Sequence, residues 1–393
     1  MITQAQAACL GLMAEIQTIC DENGLRIYLI DKQLWASQTK GEMIGYEADF
    51  AMFYDDFIKF CSLANEKYPG QREFESFEEN PLLPGAYYRY VNADSTFFNL
   101  DEYRLFRKHG VYVNIHIIRN NGISQSELAV YEWGMGKDLH KSRRAQIYGG
   151  ITGVMKRVTG ESTQNKRILK LFEKARVKKN GKTEIKLPMG KRMIFPEGFW
   201  DGQKKCILGG YEFTTVGDTK KYLMTQYGPD WSDKTIRGKR ETYMCICCPK
   251  LPYKTYWEYA DDDLIDEEFF AKRDKYMRSL KEDINDYNKQ TRHAWSMFFS
   301  IDEQFHLKDK IANYKDDVVR TWNEGHHDNA MLLMGDYVSK IEEYRKQKVA
   351  LVADDDLWKI YIEWLVENGR DGTANKLLEF LQKGQMENTE QQT

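Results

Sequence analysis

The first 120 residues switch repeatedly between a helical and a strand hydrophobic period, and this alternation restricts the fold more than any other property of the chain. Ala8, Leu12, Ala14, Ile16 and Ile19 recur at helical spacing over 5–22, and Glu22-Asn23-Gly24 is a stop signal. An apolar run over 25–30 reads as a strand, as does 47–53. Residues 54–64 are amphipathic and helical, with Asp55 and Asp56 at the end where the helix dipole favours negative charge, and Pro69-Gly70 ends the segment. A loop spans Pro81 to Pro84. Further strands are expected over 87–91 and 110–118; in the second, Val111, Val113, Ile115 and Ile117 share one face and Asn114 and His116 the other. Helix, strand, helix and strands in this order predict an α/β (α+β) domain.

The strand at 47–53 carries Glu47 and Asp49. Residues two apart in a strand share a face about 6.6 Å apart along the chain, so both acids can address one hard cation. The plainer reading is an exposed edge strand with two solvated acids. Without a cation the like-charged pair repels itself, so Asp49→Ala is expected to remove any activity at little cost in stability.

At 393 residues the chain has room for two or three domains. Its 57 basic and 60 acidic side chains leave a net charge of −3, which gives no reason to expect a nucleic-acid partner. A mean hydropathy of −0.65 and the lack of any long apolar run exclude an integral helical membrane protein. The first ten residues have no basic and apolar leader pattern, and the seven cysteines read as reduced thiols, so a cytoplasmic protein is expected.

Lysines and arginines crowd 137–205, among them Lys141, Arg143, Arg144, Lys166, Lys182 and Arg192, either as solvated faces or as a surface for an anionic ligand. From Asp261 to Gly384 the pattern is helical. Two stretches echo one another there, Gly325-His326-His327 through Leu333 and Gly369-Arg370-Asp371 through Leu378, each after an aromatic-bearing helix. His326-His327 reads as capping chemistry at a helix start. Cys245, Cys247 and Cys248, even with Cys206, lack the paired spacing of structural zinc sites. Expected boundaries are therefore 1–258 for the α/β domain, including the basic insertion 137–205, 259–384 for an all-helical domain, and a frayed tail over 385–393.

Several blocks, in order, resemble the LicD family of phosphotransferases, which includes choline-phosphate and fukutin-related ribitol-phosphate transferases. Residues 12–30 look like its opening helix and strand, and Asp31 to Gly41 stands where the family has a glycine-bearing turn. Gly45-Tyr46-Glu47-Ala48-Asp49-Phe50-Ala51 occupies the place of its acidic motif. Arg89 to Thr96 is similar to a further block, and Tyr112-Val113-Asn114-Ile115-His116 takes the place of another acid-bearing strand. Gly210 to Trp231 matches the closing signature and is the most specific block. The resemblance covers about 10–235.

It implies a nucleotidyltransferase-like mixed sheet flanked by helices. It further implies Mg²⁺ (or Mn²⁺) held by Glu47 and Asp49, with Asn114 assisting in catalysis, and substrate contacts from Lys32, Gln38, Arg89, Thr96 and His116. The implied partners are a CDP-activated donor and a glycan or lipid-linked glycan acceptor, the latter entailing peripheral association with the inner face of the membrane. The chain departs from the pattern at Ala51 and Asn114, where acids are expected, at Asp31 and Trp35, which take glycine positions, and at Gln38, which replaces an arginine. Those departures leave a second expectation open: a catalytically degenerate relative that acts as a binding or scaffold component, with the C-terminal helices as its protein-partner surface.

Overall fold

A computed structural model describes residues 3–76, 87–99, 106–120, 173–174, 176, 181–187, 192–239, 245–259, 283–347 and 354–379. Most of the expected basic insertion, including Lys141, Arg143, Arg144 and Lys166, lies outside these residues, as do the helix start at Asp261 and the tail 385–393. The described chain is a mixed α/β protein with small mixed sheets, and it divides into two compact units, Met1–Tyr253 and Lys254–Thr393.

In the first unit, α1 (Gln4–Glu22) begins in a capping box: Thr3 accepts from the Gln6 backbone N–H and the Gln6 side chain reciprocates. Of the residues expected on its apolar stripe, Leu12, Ile16 and Ile19 are buried and Ala8 and Ala14 are half-buried; Cys9, Met13 and Cys20 complete the buried face at the i, i+3, i+4 spacing. Next come β1 (Ile27–Leu29), α2 (Asp31–Thr39), β2 (Asp49–Phe53), α3 (Tyr54–Lys67), β3 (Arg72–Glu75), β4 (Tyr87–Asn92), β5 (Thr96–Asn99) and β6 (Tyr112–Ile118). The stretch expected as a turn after the first strand is thus a helix, α2. Strand 47–53 is shorter than expected and leaves Glu47 in the approach to β2.

Five strands form a sheet in the order β1-β2-β6-β4-β3. β2 and β6 run parallel, with Asp49 opposite Asn114 and Ala51 opposite His116; β1 and β4 flank them antiparallel. Every residue of β1, β2 and β6 is buried. A sheet covered on both faces explains why β6 is apolar almost throughout and why its polar pair, Asn114 and His116, has to find partners inside the fold. α3 packs against β2, β3 and β6, and α1 against β6.

The hairpins β7 (Lys182–Lys186) with β8 (Arg192–Pro196) and β9 (Gln203–Leu208) with β10 (Tyr211–Val216) follow, then α4 (Thr219–Tyr227) and β11 (Cys245–Cys248), which pairs with β5. Trp200 is buried between them, edge-on to Tyr28, Phe195 and Tyr222. Losing a ring of that size from such a core costs about 3–5 kcal/mol.

All described elements of the second unit longer than one turn are helices: α5 (Asp283–Ala312), α6 (Lys315–Asn323), α7 (His327–Leu333), α8 (Gly335–Gln347), α9 (Asp355–Glu367) and a further one over 371–379. They close around Val318, Ala330, Met334, Tyr337, Leu357, Trp358, Leu365 and Leu377. The sequence echo has a structural counterpart. Gly325 (φ +83°) and Gly369 (φ +67°) each end a helix in the left-handed region before a short helix begins. His326 makes no side-chain cap, contrary to expectation; His327 instead stacks on Trp322 at 3.9 Å and pairs with Glu367 at 2.7 Å. Among the described residues, no helix is long and apolar enough to cross a membrane.

Candidate functional site

The corner between β1 and α2 meets the start of β2 at a dense polar cluster. Gln33, fully buried on α2, holds the incoming loop: its amide nitrogen donates to the carbonyls of Ile44 (2.8 Å) and Glu47 (2.6 Å), and its oxygen accepts from the Ile44 N–H (3.1 Å). The loop meets a second segment at Gly45 and Gly238. A Cβ on Gly45 would strike the Lys239 backbone, and one on Gly238 the Ile44 carbonyl. Only glycine permits that approach, and it brings the Tyr46 N–H to the Lys239 carbonyl at 3.2 Å.

Glu47, so placed, is saturated. One carboxylate oxygen accepts from Lys32 (2.9 Å); the other accepts from Lys239 (2.8 Å) and from the Tyr112 hydroxyl (2.9 Å). Burial works against its charge, but the two ammonium groups prevail and hold its pKa below the usual carboxylate range. Asp49 directs Oδ1 at β6, where Asn114 Nδ2 donates at 3.1 Å and His116 Nε2 lies at 2.9 Å. An ionised carboxylate accepts only, so Nε2 carries a proton, and the buried His116 Nδ1 and Asn114 Oδ1 have no hydrogen-bond partner among the described residues. Asp49 Oδ2 faces Lys32 at 4.0 Å. Against the opposing effect of burial, the His116 hydrogen bond and the Lys32 charge lower the Asp49 pKa to about 2. Burial alone would lower the Lys32 pKa, but Glu47, Asp49 and Asp31 outweigh it and raise it.

Asp31 adds a third carboxyl that the sequence reading did not assign. Its φ of +56° lies in the left-handed region, which side-chain-bearing residues seldom adopt. Tyr227 donates to its carboxyl at 2.6 Å and Gln226 also donates, both from α4. Burial first, and then the Asp49 charge, raise its pKa.

Of the sequence-predicted residues, Glu47, Asp49, Asn114, His116 and Lys32 come together. Three do not join them. Arg89 is fully buried, ion-paired with Glu75 and in contact with the ring faces of Phe106 (3.7 Å) and Tyr112 (3.8 Å). Its guanidinium is used inside the fold, and breaking such a pair costs about 3–5 kcal/mol. Thr96 donates to the Leu251 carbonyl at 2.7 Å, tying β5 to the turn that follows β11, and Gln38 turns to Ser37 at 3.2 Å. Sequence reasoning missed Gln33, Tyr112 and Lys239. Tyr112 was legible in principle, since it shares a β6 face with Asn114 and His116, whereas nothing local marks Lys239, 192 positions away from Glu47 along the chain.

The point where both carboxylates converge is now held by an ammonium, a monovalent cation 2.9 and 4.0 Å from their oxygens. Two carboxylates and an amide oxygen without a partner are hard donors of the kind that Mg²⁺ or Mn²⁺ accepts when phosphate oxygens and waters complete its shell. The residues therefore fit such an ion in chemical type. No protein-family model matches this chain, and no curated protein is significantly similar to it.

Proposed function

We propose that the first unit is a nucleotidyltransferase-like phosphotransferase domain of LicD type. It moves a phospho-alcohol, phosphocholine or a near relative, from a CDP-activated donor to a cell-surface glycan or its lipid-linked precursor at the cytoplasmic face of the membrane. The observation that carries this reading is the convergence of Glu47 and Asp49 on one cation position, with Asn114 and His116 gripping Asp49 from the adjoining parallel strand.

Phosphoryl transfer needs little covalent help from a protein; it needs oxygens neutralised and reactants aligned. Glu47 and Asp49, with Asn114, are the residues that would hold Mg²⁺ or Mn²⁺, and the bound ion would neutralise charge on the transferring phosphoryl group. Asn114 and His116 keep Asp49 in one rotamer with Oδ2 turned to the cation position. Lys239 keeps Glu47 ionised, and Lys32 supplies a positive charge beside the same two acids. The hydrogen bond to Asp49 fixes the His116 ring with Nε2 turned to the carboxylate and leaves Nδ1 on the far side, without a partner among the described residues.

One observation favours the second reading, a degenerate relative that binds without catalysing: Lys32 and Lys239 together neutralise the acid pair with no metal at all. Calorimetric titration with CDP-choline, in Mg²⁺ and in EDTA, separates the two. Transfer requires metal-dependent binding followed by release of CMP when an acceptor is added. Metal-indifferent binding, or no binding in either buffer, with no CMP released, removes the transferase reading and supports the degenerate relative as a binding or scaffold component.

A further inference from the structure

We infer that Lys32 is a built-in counter-cation that closes the Glu47–Asp49 pair to a free divalent ion, so that the ion enters only alongside an anionic, diphosphate-bearing ligand. The second half of this statement rests on the proposed transferase function; the first half stands on the geometry alone.

The ammonium lies 2.9 Å from Glu47 Oε2 and 4.0 Å from Asp49 Oδ2, and the three side chains are only 13%, 10% and 9% exposed. A hard cation binding those oxygens at about 2.1 Å would have to occupy the space that the ammonium fills. The remaining Glu47 oxygen is taken by Lys239 and Tyr112. Charge points the same way. Glu47 and Asp49 carry two negative charges, and Lys32 and Lys239 carry two positive ones. Asp31 adds at most one more negative charge, on a carboxyl engaged by Tyr227 and Gln226. A divalent ion arriving alone would leave a buried cluster with net positive charge, which a low-dielectric site disfavours. Arriving with a diphosphate, it restores balance, and the flexible four-carbon stem of Lys32 lets its ammonium turn from the carboxylates to the phosphate oxygens. Binding of ion and anion is then mutually dependent, each raising the affinity for the other by the same factor.

The test is Mn²⁺ binding to the full chain, followed by the loss of the free-ion electron paramagnetic resonance signal, with and without CDP-choline. Wild type is expected to bind no Mn²⁺ at submillimolar concentration without the nucleotide. Lys32→Met is expected to bind it at least about tenfold more tightly, because a charge within about 4 Å of the site has been removed. Metal binding by wild type without nucleotide, equal to that of the variant, overturns the inference, and so does a folded Lys32→Met protein that gains no Mn²⁺ affinity. If Lys32→Met does not fold, wild type decides alone: Mn²⁺ binding that is the same with and without CDP-choline, or absent in both, overturns the inference, and binding that appears only with CDP-choline upholds it. A gain in Lys32→Met, with no effect of CDP-choline on either protein, leaves the counter-cation standing and removes the transferase reading.

Discussion

Asp49 shows how far a residue's surroundings can reverse an expectation drawn from its neighbours in sequence. Two acids two positions apart suggest repulsion, and hence an Asp49→Ala that costs activity but little stability. In the fold, Asp49 accepts from Asn114 and His116 and faces Lys32, so truncation strands two buried donors and half of a buried ion pair. Asp49→Ala should therefore destabilise the first unit by about 2–4 kcal/mol, read as a lower denaturation midpoint at unchanged slope. An unchanged midpoint would show that the network contributes nothing. Acid acts on the same groups with a definite sign. His109 packs at a tilt against Phe98, ring centroids 4.8 Å apart, and burial, together with the nearby Arg89 charge, lowers its pKa to about 3. The unfolded chain takes up a proton near pH 6.5 that the fold refuses, so stability is complete above roughly that pH and is lost as pH falls toward about 3. The difference is on the order of 5 kcal/mol. Asp49 adds a loss below about pH 4, while Asp31, with its raised pKa, works in the opposite direction. Stability measured against pH for His109→Leu should be much flatter between about pH 6.5 and 4 than for wild type; parallel curves would exclude His109 as the cause.

At the scale of elements, the segments with strong periodicity, α1, α3, β4 and β6, sit close to where the sequence puts them, because burial of one stripe or face is what the pattern records. α2 does not. Asp31-Lys32-Gln33-Leu34-Trp35-Ala36-Ser37-Gln38-Thr39 has no clean apolar stripe, since Gln33 is buried as a clamp and Trp35 as a donor to the Trp231 carbonyl at 2.7 Å. Its helix is held by partners far off in sequence. The Gly45–Gly238 crossing is similar in kind. Gly238→Ala should lower stability by about 1–3 kcal/mol, because a methyl group has to displace the Ile44 carbonyl and Lys239 moves away with it. Gly11→Ala in α1, where no atom lies within 4 Å of the added carbon, should raise stability by about 0.5–1 kcal/mol. Calorimetric melting of the two variants checks both signs, and equal shifts would mean that the close approach carries no energy.

At the scale of the whole molecule, two cores are built from different materials. The first is a covered sheet with long-range strand pairing; the second is a set of helices closed over Trp358, Tyr361 and Leu365. Each has its own apolar interior, which is the condition for independent folding. A fragment ending after residue 259 should melt in one cooperative transition, within a few degrees of the corresponding transition of the full chain. A fragment with no transition would mean that the helices complete the first core.

Local order was available from the chain alone: the helix and strand periods, the stop signals, the shared face of Asn114 and His116, and the spacing of Glu47 and Asp49 are consequences of side-chain direction along a single element. Pairing was not. That β2 lies parallel to β6, so that Asp49 stands opposite Asn114, depends on sheet order, and that Lys239 completes Glu47 depends on two glycines meeting across 193 positions. Charge compensation between elements is a property of proximity in space. Only the tertiary structure therefore decided that the two acids face an ammonium, that Arg89 serves the interior, and that Asp31 belongs to the cluster.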